Sequence, residues 1–356
     1  MTFDLNTLLR PNIRTLKKYS SARDEFSGRA AIFLDANENT AGSAGKTVAN
    51  RYPDPLQKRL RRMIAAEKGI DAEDKIFLGN GSDEAIDILV RAFCEPGRDR
   101  LMLMPPTYGM YRVCADINDA AVLEVPLKPD FSMDTDAVIR EAERRRPKLI
   151  FICTPNNPSG NSFPPEDIEA VLRNTGSVVL VDEAYIDFSE RRSWTRRLDE
   201  FPNLVVLQTF SKAWGMAGVR LGIAFASPEI TAVMNKIKYP YNVSDLTATA
   251  VIDALGSASR KRELVRSIIR RRAGLMREMR SLPMVEHIFP TDANFFLARF
   301  RDAKAVYGYL RDRGIVVRDR SGQLHCDNCL RITVGTPEEN RVLTETLKNY
   351  AAEERS

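Results

Sequence analysis

Lys212, Asp182, Tyr185 and Asn157 are the residues whose types and spacing point to a single reaction centre. Lys212 follows the apolar run Leu204–Thr209. Asp182 and Tyr185 follow Val178–Val181 in Asp182-Glu183-Ala184-Tyr185, and Asn157 follows Leu149–Cys153 in Thr154-Pro155-Asn156-Asn157-Pro158-Ser159-Gly160. An amine, a carboxylate with a phenol, and an amide therefore stand at the ends of three apolar runs. That set suits a pyridine aldehyde. The Asp182 anion would raise the pKa of a ring nitrogen and keep it protonated, which makes the ring an electron sink. Tyr185 and Asn157 would donate to the ring's phenolic oxygen, while Lys212 would form an imine with the aldehyde and then shuttle a proton. Taken singly, Asp182 reads as a helix cap, Lys212 as a surface amine and Asn157 as a turn former. Those readings leave their common placement at strand ends unexplained.

An anionic group on the same ligand needs amide donors and cations. Gly79-Asn80-Gly81-Ser82-Asp83-Glu84 opens an amphipathic helix, so Ser82 is expected as its N-cap, with free backbone N–H groups and the helix dipole facing outward. Arg220, in Gly218-Val219-Arg220-Leu221-Gly222, would add the charge and Ser211 a hydroxyl. Tyr108, in Pro105-Pro106-Thr107-Tyr108, could stack on the ring or simply fill the core.

The elements that must position these groups read as an α/β protein. Leu56, Leu60, Met63 and Ile64 share one helical face, and Ile86, Leu89, Val90 and Phe93 another. Leu101–Met104, Leu149–Cys153, Val178–Val181, Leu204–Thr209 and Val219–Ala226 are short and predominantly apolar, as strands of a parallel sheet buried on both faces are. Ligands of such a sheet bind beyond the carboxyl ends of its strands. A helical region from about Asp245 to Arg280 follows, then strands Asn294–Phe300, Ile315–Val317 and Leu330–Val334 around a helix Ala303–Arg313, which reads as a smaller α+β domain. The chain divides on this reading into an arm with part of the small domain (1–42), a large domain (43–243) and a small domain (244–356). The arm holds Phe26, Ile32, Phe33 and Leu34 among polar residues, as a segment that packs on something else would.

Lys plus Arg number 53 against 48 Asp plus Glu, a mild excess without a basic arm, so nucleic acid is not implied. The basic run Arg260-Lys261-Arg262 to Arg270-Arg271-Arg272 reads as a solvated helix face. Five scattered cysteines suit a reducing compartment, and the CxxC of Cys326–Cys329 lacks the further ligands a zinc site needs. No apolar stretch is long enough to span a membrane, and a cytoplasmic protein is expected.

Together these segments resemble the fold-type I aminotransferases, and within them the histidinol-phosphate aminotransferases. The resemblance runs through Leu34-Asp35-Ala36-Asn37-Glu38-Asn39, Arg51-Tyr52-Pro53-Asp54, the Gly79 and Pro105 segments, Pro155–Gly160, Asp182–Tyr185, Phe210-Ser211-Lys212-Ala213 and Cys329–Thr336. It implies a large domain with a mostly parallel seven-stranded sheet, a smaller α+β domain, and pyridoxal 5'-phosphate as cofactor. It also implies cofactor contacts from Asp83 and Thr209, and substrate contacts from Asn37, Tyr19, Arg318 and Arg331. A homodimer follows, with Tyr52 of one subunit reaching the cofactor phosphate of the other. The implied reaction is transamination of L-histidinol phosphate with 2-oxoglutarate in histidine biosynthesis. An aromatic aminotransferase and a threonine-phosphate decarboxylase of the same fold remain alternatives. A dinucleotide enzyme is disfavoured, because Gly79-x-Gly81-x-x-Glu84 lacks the third glycine of that fingerprint. Two departures from the family pattern stand out: Thr40-Ala41-Gly42 where a proline is usual, and Gln208 where arginine is common.

Overall fold

The computed structural model describes residues 3–21 and 32–353; Phe26 lies outside them. Seven strands form the main sheet: β1 (Ile76–Asn80), β2 (Arg100–Leu103), β3 (Ala121–Glu124), β4 (Leu149–Cys153), β5 (Val178–Asp182), β6 (Leu204–Thr209) and β7 (Leu221–Ala226). Their order is β1-β7-β6-β5-β4-β2-β3, with only β7 reversed. The apolar runs belong to strands covered on both sides. Ile150, Ile152, Val179, Val181, Val206 and Ile223 pack into one core, and Leu149, Phe151, Val178, Leu180, Val205 and Ala224 into the other. Alternate residues of one strand thus serve two cores, which is why no polar position interrupts the run.

Two strands of the main sheet, and β8 (Val285–Ile288) of the smaller one, escaped the sequence reading. β1 ends in Gly79-Asn80, residues that ordinarily break strands, and β3 is a half-exposed edge without a sustained apolar run. The last strand starts at Leu221 rather than Val219, because residues 217–219 form a 3-10 turn and Arg220 takes a left-handed φ of 59°.

The expected helical region at 245–280 is two helices, Asp245–Leu255 and Ala258–Arg280, parted at Gly256-Ser257. Along the second, Arg260, Arg262, Arg266 and Arg270 are exposed, but Lys261 pairs with Asp187 and Arg272 donates to the Ala293 carbonyl at 2.6 Å. That basic run is therefore only partly a solvated face. The second sheet is antiparallel, β10-β11-β9-β8, with β8 (Val285–Ile288), β9 (Phe295–Phe300), β10 (Arg318–Asp319) and β11 (Cys329–Thr333). The strand expected at 315–317 forms instead at Arg318–Asp319, where pairing with Arg331 and Leu330 is available. Even-numbered Phe296, Ala298, Leu330 and Ile332 pack on the helices, whereas Leu297 and Cys329 join a core of the main sheet. One face of the small sheet is thereby pressed towards the rim of the large one. At the start of the chain, Leu9 and Ile13 pack into the second core of the main sheet, and Arg10 pairs with Glu95 at 3.2 Å.

Cys326 and Cys329 are free and fully buried, their backbones closing a turn through Cys329 N–H to Cys326 C=O. Burial raises both thiol pKa values, Cys326 to about 12, so these are core side chains rather than reactive thiols.

Candidate active site

Register brings the three strand ends level. Cys153 lies opposite Asp182, Asp182 opposite Leu207, and Thr154 N–H donates to the Asp182 carbonyl at 2.9 Å. Because β7 is reversed, its beginning reaches the same rim, with Gly222 paired to Thr209 on one side and Gly79 on the other. A cavity of about 200 Å³ opens there. It is lined by Lys212, Asp182, Tyr185, Asn157, Arg220 and Tyr108, and also by Ser82, Asp83, Thr209, Ser211, Cys153, Ala184 and Ala217.

Asp182 is buried. Its Oδ2 accepts the Tyr111 hydroxyl at 2.6 Å and its Oδ1 the Ala184 N–H at 3.0 Å. Desolvation nevertheless raises its pKa, with the two donors and Lys212 opposing. A carboxylate in that condition gains from a cation placed against it. Lys212 opens into the cavity mouth with its Nζ 5.7 Å from the Tyr185 ring centre. Desolvation first, and then repulsion from Arg331, hold the amine below the ordinary lysine pKa. A less basic amine is more often neutral, as a nucleophile must be. Tyr185 and Tyr108 are pushed above the usual phenol range, chiefly by burial, and stay protonated donors. The Asn157 carbonyl oxygen accepts from Arg331.

The anion end departs from expectation at one residue. Ser82 is the first helical residue of the helix Ser82–Phe93, not its cap. Gly81, with φ of 77°, is the N-cap and offers no side chain; Glu84 instead reaches back to the Asn80 N–H. A Cβ on Gly222 would stand 2.1 Å from the Ser82 nitrogen, so two backbones meet where any side chain would push the helix terminus outward. Arg220 approaches Asp83 at 3.6 Å, and Asp83 accepts the Tyr108 hydroxyl at 3.1 Å. Thr209 and Ser211 share a hydroxyl contact of 3.0 Å.

Five anticipated residues, Tyr19, Asn37, Tyr52, Arg318 and Arg331, stand outside the cavity lining. Tyr19 is 69% exposed, beside Lys18 and Lys236 in a separate depression, and Asn37 is exposed with φ of 54°. Tyr52 stacks on Tyr241 with ring centres 4.5 Å apart, and its N–H donates to Glu38 at 2.6 Å. Arg318 is exposed opposite Arg331, which itself reaches the cavity through Asn157.

Tyr111 was not anticipated as a site residue. It is fully buried, stacked on Phe151 at 4.9 Å, and stands three residues after Tyr108 on the helix Met110–Ile117. The i, i+3 spacing of the two tyrosines after Pro105-Pro106 was the available signal.

Glu183, one residue from Asp182, points away from the cavity. It accepts from Ser193 at 2.5 Å, Trp194 N–H at 2.7 Å and Gln208 at 2.9 Å. Burial pushes the Glu183 pKa from 4.5 up to about 7, despite those donors and Lys68. Between those values the folded chain holds a proton that the unfolded chain has lost, so stability falls as pH rises through this window and levels off above it. Glu183→Gln removes that slope. Relative to the parent, the variant gains roughly 3 kcal/mol between pH 4.5 and 8, read from urea midpoints at the two pH values.

Comparison with known proteins agrees with this geometry. The family model described as aminotransferase class I and II matches residues 30–347. The chain is 51% identical over 350 residues to a histidinol-phosphate aminotransferase of Cytophaga hutchinsonii, covering 98% of this chain and 100% of that one. It is 50% identical to the Parabacteroides distasonis protein of the same name, over 97% and 99% of the two chains. In fold it is similar to the histidinol-phosphate aminotransferase of Sinorhizobium meliloti in complex with pyridoxal-5'-phosphate, with a TM-score of 0.78, 24% identity and coverage of 85% and 83%. The chain belongs to the class I and II aminotransferases and, among them, to the histidinol-phosphate aminotransferase family.

Proposed function

We propose that the chain catalyses reversible transamination between L-histidinol phosphate and 2-oxoglutarate, giving imidazole-acetol phosphate and L-glutamate, with pyridoxal phosphate as cofactor. The observation that carries the reading is one cavity lined by a buried carboxylate, a lysine of lowered pKa and an arginine at a helix N-terminus. The donor set fits the cofactor from end to end. Asp182 suits a protonated ring nitrogen, Tyr185 and Asn157 suit a ring oxygen, and Arg220, Ser211, Thr209 and Ser82 suit a phosphate. With its oxygen held by Arg331, Asn157 presents its NH₂ as the donor. When bound, pyridoxal phosphate supplies the electron sink that stabilises charge at the substrate carbon. Lys212 acts first as nucleophile and afterwards carries the proton from one carbon to the other. Asp83 steadies both Arg220 and Tyr108, and Tyr108 flanks the ring.

Arg331, with Arg318, Tyr19 and Asn37, is proposed to take the substrate's anionic group. Tyr52 is proposed to serve the cofactor phosphate of a second subunit; its exposed ring and the 73% exposed Tyr239, close in sequence to the Tyr241 on which Tyr52 stacks, support a paired surface. A monomeric mass in sedimentation at full activity would overturn the shared site. Residues 43–243 then act as the cofactor-binding part and 244–356, with the arm 1–42, as the part that meets substrate. Among the described residues no helix is long and apolar enough to cross a membrane, and all five cysteines are free, in keeping with a cytoplasmic site of action.

Incubation of the loaded enzyme with histidinol phosphate and 2-oxoglutarate should release glutamate. Carbon dioxide from threonine phosphate, or an equal kcat/KM for phenylalanine, overturns the substrate assignment. Tyr111→Phe keeps the ring stacked on Phe151 but removes one donor from Asp182. A hydrogen bond to a charged group contributes about 1.5–3 kcal/mol, and this one is made before any cofactor binds, so the cofactor-free variant should lose roughly that much stability, read from urea midpoints.

A further inference from the structure

Strand β10 meets β11 with Arg318 opposite Arg331, and the pairing continues one step further, Arg320 N–H donating to the Cys329 carbonyl at 2.9 Å. Opposed residues share a sheet face, as do residues two apart. Arg318, Arg320 and Arg331 therefore project from one face, with Asp319 and Leu330 on the other. The shared face is the one that packs towards the large sheet, since Leu297 and Cys329 of the same face join its core.

Three guanidinium groups on one face call for counter-charges, and the ion pairs among the described residues include none of the three. Among the described residues Arg331 has only the neutral Asn157 oxygen as a hydrogen-bond acceptor, and it lies 5.1 Å over the Phe295 ring. The Nε atoms of Arg331 and Arg320 are both buried without a hydrogen-bond partner among the described residues. Burial, followed by repulsion from Arg320, lowers the Arg331 pKa; burial, followed by Arg318, lowers that of Arg320. Partly buried like charges without an anion are unfavourable, so the arrangement suits a ligand carrying more than one negative charge. One fork matches a carboxylate; a phosphate near neutral pH offers close to two charges and three acceptor oxygens.

We propose that Arg320 is a third substrate-anion residue beside Arg331 and Arg318, and that it favours a phosphorylated substrate over one bearing only a carboxylate. The inference rests on the transaminase reading above and adds the residue that weighs phosphate against carboxylate.

The test uses the pyridoxal-phosphate-loaded full chain and its R320Q and R320K variants. Each half-reaction is followed separately by the cofactor's absorbance, and inhibition by inorganic phosphate is measured alongside. In R320Q the ratio of kcat/KM for histidinol phosphate to that for glutamate should fall roughly 10- to 100-fold, the worth of one charged hydrogen bond. The inhibition constant for inorganic phosphate should rise in proportion, and R320K should recover part of both. Between pH 5 and 7, where a phosphate monoester takes on its second charge, the parent's preference for histidinol phosphate should climb more steeply than that of R320Q. An unchanged ratio together with unchanged phosphate inhibition overturns the proposal, leaving Arg320 to pair locally with Gln323, whose buried Oε1 is also unpartnered. If the parent fails to react with histidinol phosphate, the substrate reading fails alone. Phosphate inhibition then decides: weakened in R320Q it supports the third guanidinium, unaltered it removes it.

Discussion

Lys212→Ala should lower kcat by at least about ten-thousandfold, the upper end of what a positioned proton carrier contributes, because the same amine also serves as nucleophile. The structure gives this residue no structural task that could blur the result. Its side chain opens into the cavity mouth, and the backbone carbonyl that receives the Gly215 N–H is untouched by the substitution. The thermal midpoint without cofactor should stay within a few degrees of the parent. The pH-dependent visible absorption of the loaded protein should vanish, while cofactor is still retained through Arg220, Ser211 and the terminus of the helix Ser82–Phe93. A variant that keeps the visible band, or turns over within tenfold of the parent, would show that another amine carries the chemistry.

Asp182→Asn should produce two effects of opposite sign. Without cofactor, the parent carries a buried carboxylate whose pKa is raised by desolvation. Asparagine can keep the Ala184 contact and meet the Tyr111 oxygen with its NH₂, so the cofactor-free variant should be at least as stable as the parent above neutral pH. The sign follows from linkage: a carboxyl with a raised folded-state pKa costs stability once pH exceeds its unfolded value, and that cost is absent from the amide. With cofactor, the variant removes the anion that faces the ring nitrogen. Breaking a buried charge pair costs about 3–5 kcal/mol, so kcat should drop by roughly two to four powers of ten. Melting curves with and without cofactor, together with single-turnover rates, separate the two. Destabilisation in both states, or a rate within threefold of the parent, would refute the role assigned to Asp182.

The rim residues were readable because of what precedes them. Leu149–Cys153, Val178–Val181 and Leu204–Leu207 have no polar interruption, and an uninterrupted short apolar run belongs to a strand covered on both faces. The residue that follows such a run emerges at the sheet's edge. Other parts depended on information that local patterning does not carry. β1 was hidden by Gly79-Asn80 and is a strand through its pairing with β7, Gly79 opposite Gly222, a partner distant in the chain. The break at Gly256-Ser257 interrupts an apolar pattern on both sides, so periodicity reads through it. Tyr111 looks like any core aromatic until Asp182 is placed against its hydroxyl. Arg320 reads as one more charge near the surface until β10 pairs with β11 and turns it to the face that carries Arg331. Tyr19, Asn37, Tyr52 and Arg318 lie outside the lining in the single chain, and their assignment rests on family resemblance.

The reversed strand β7 makes the stretch from Thr209 to Leu221 one hairpin, with the reactive amine on its loop and Arg220 at its far foot. That hairpin works as a caliper. The span between the point where an aldehyde carbon is seized and the point where a phosphate is gripped is set within a single connection, not between separately evolving pieces of chain. Lengthening or shortening residues 210–220 by even one position would change both jaws at once, so apart from Ser211, Lys212 and Arg220 the loop is expected to tolerate substitution of its side chains far better than any insertion or deletion.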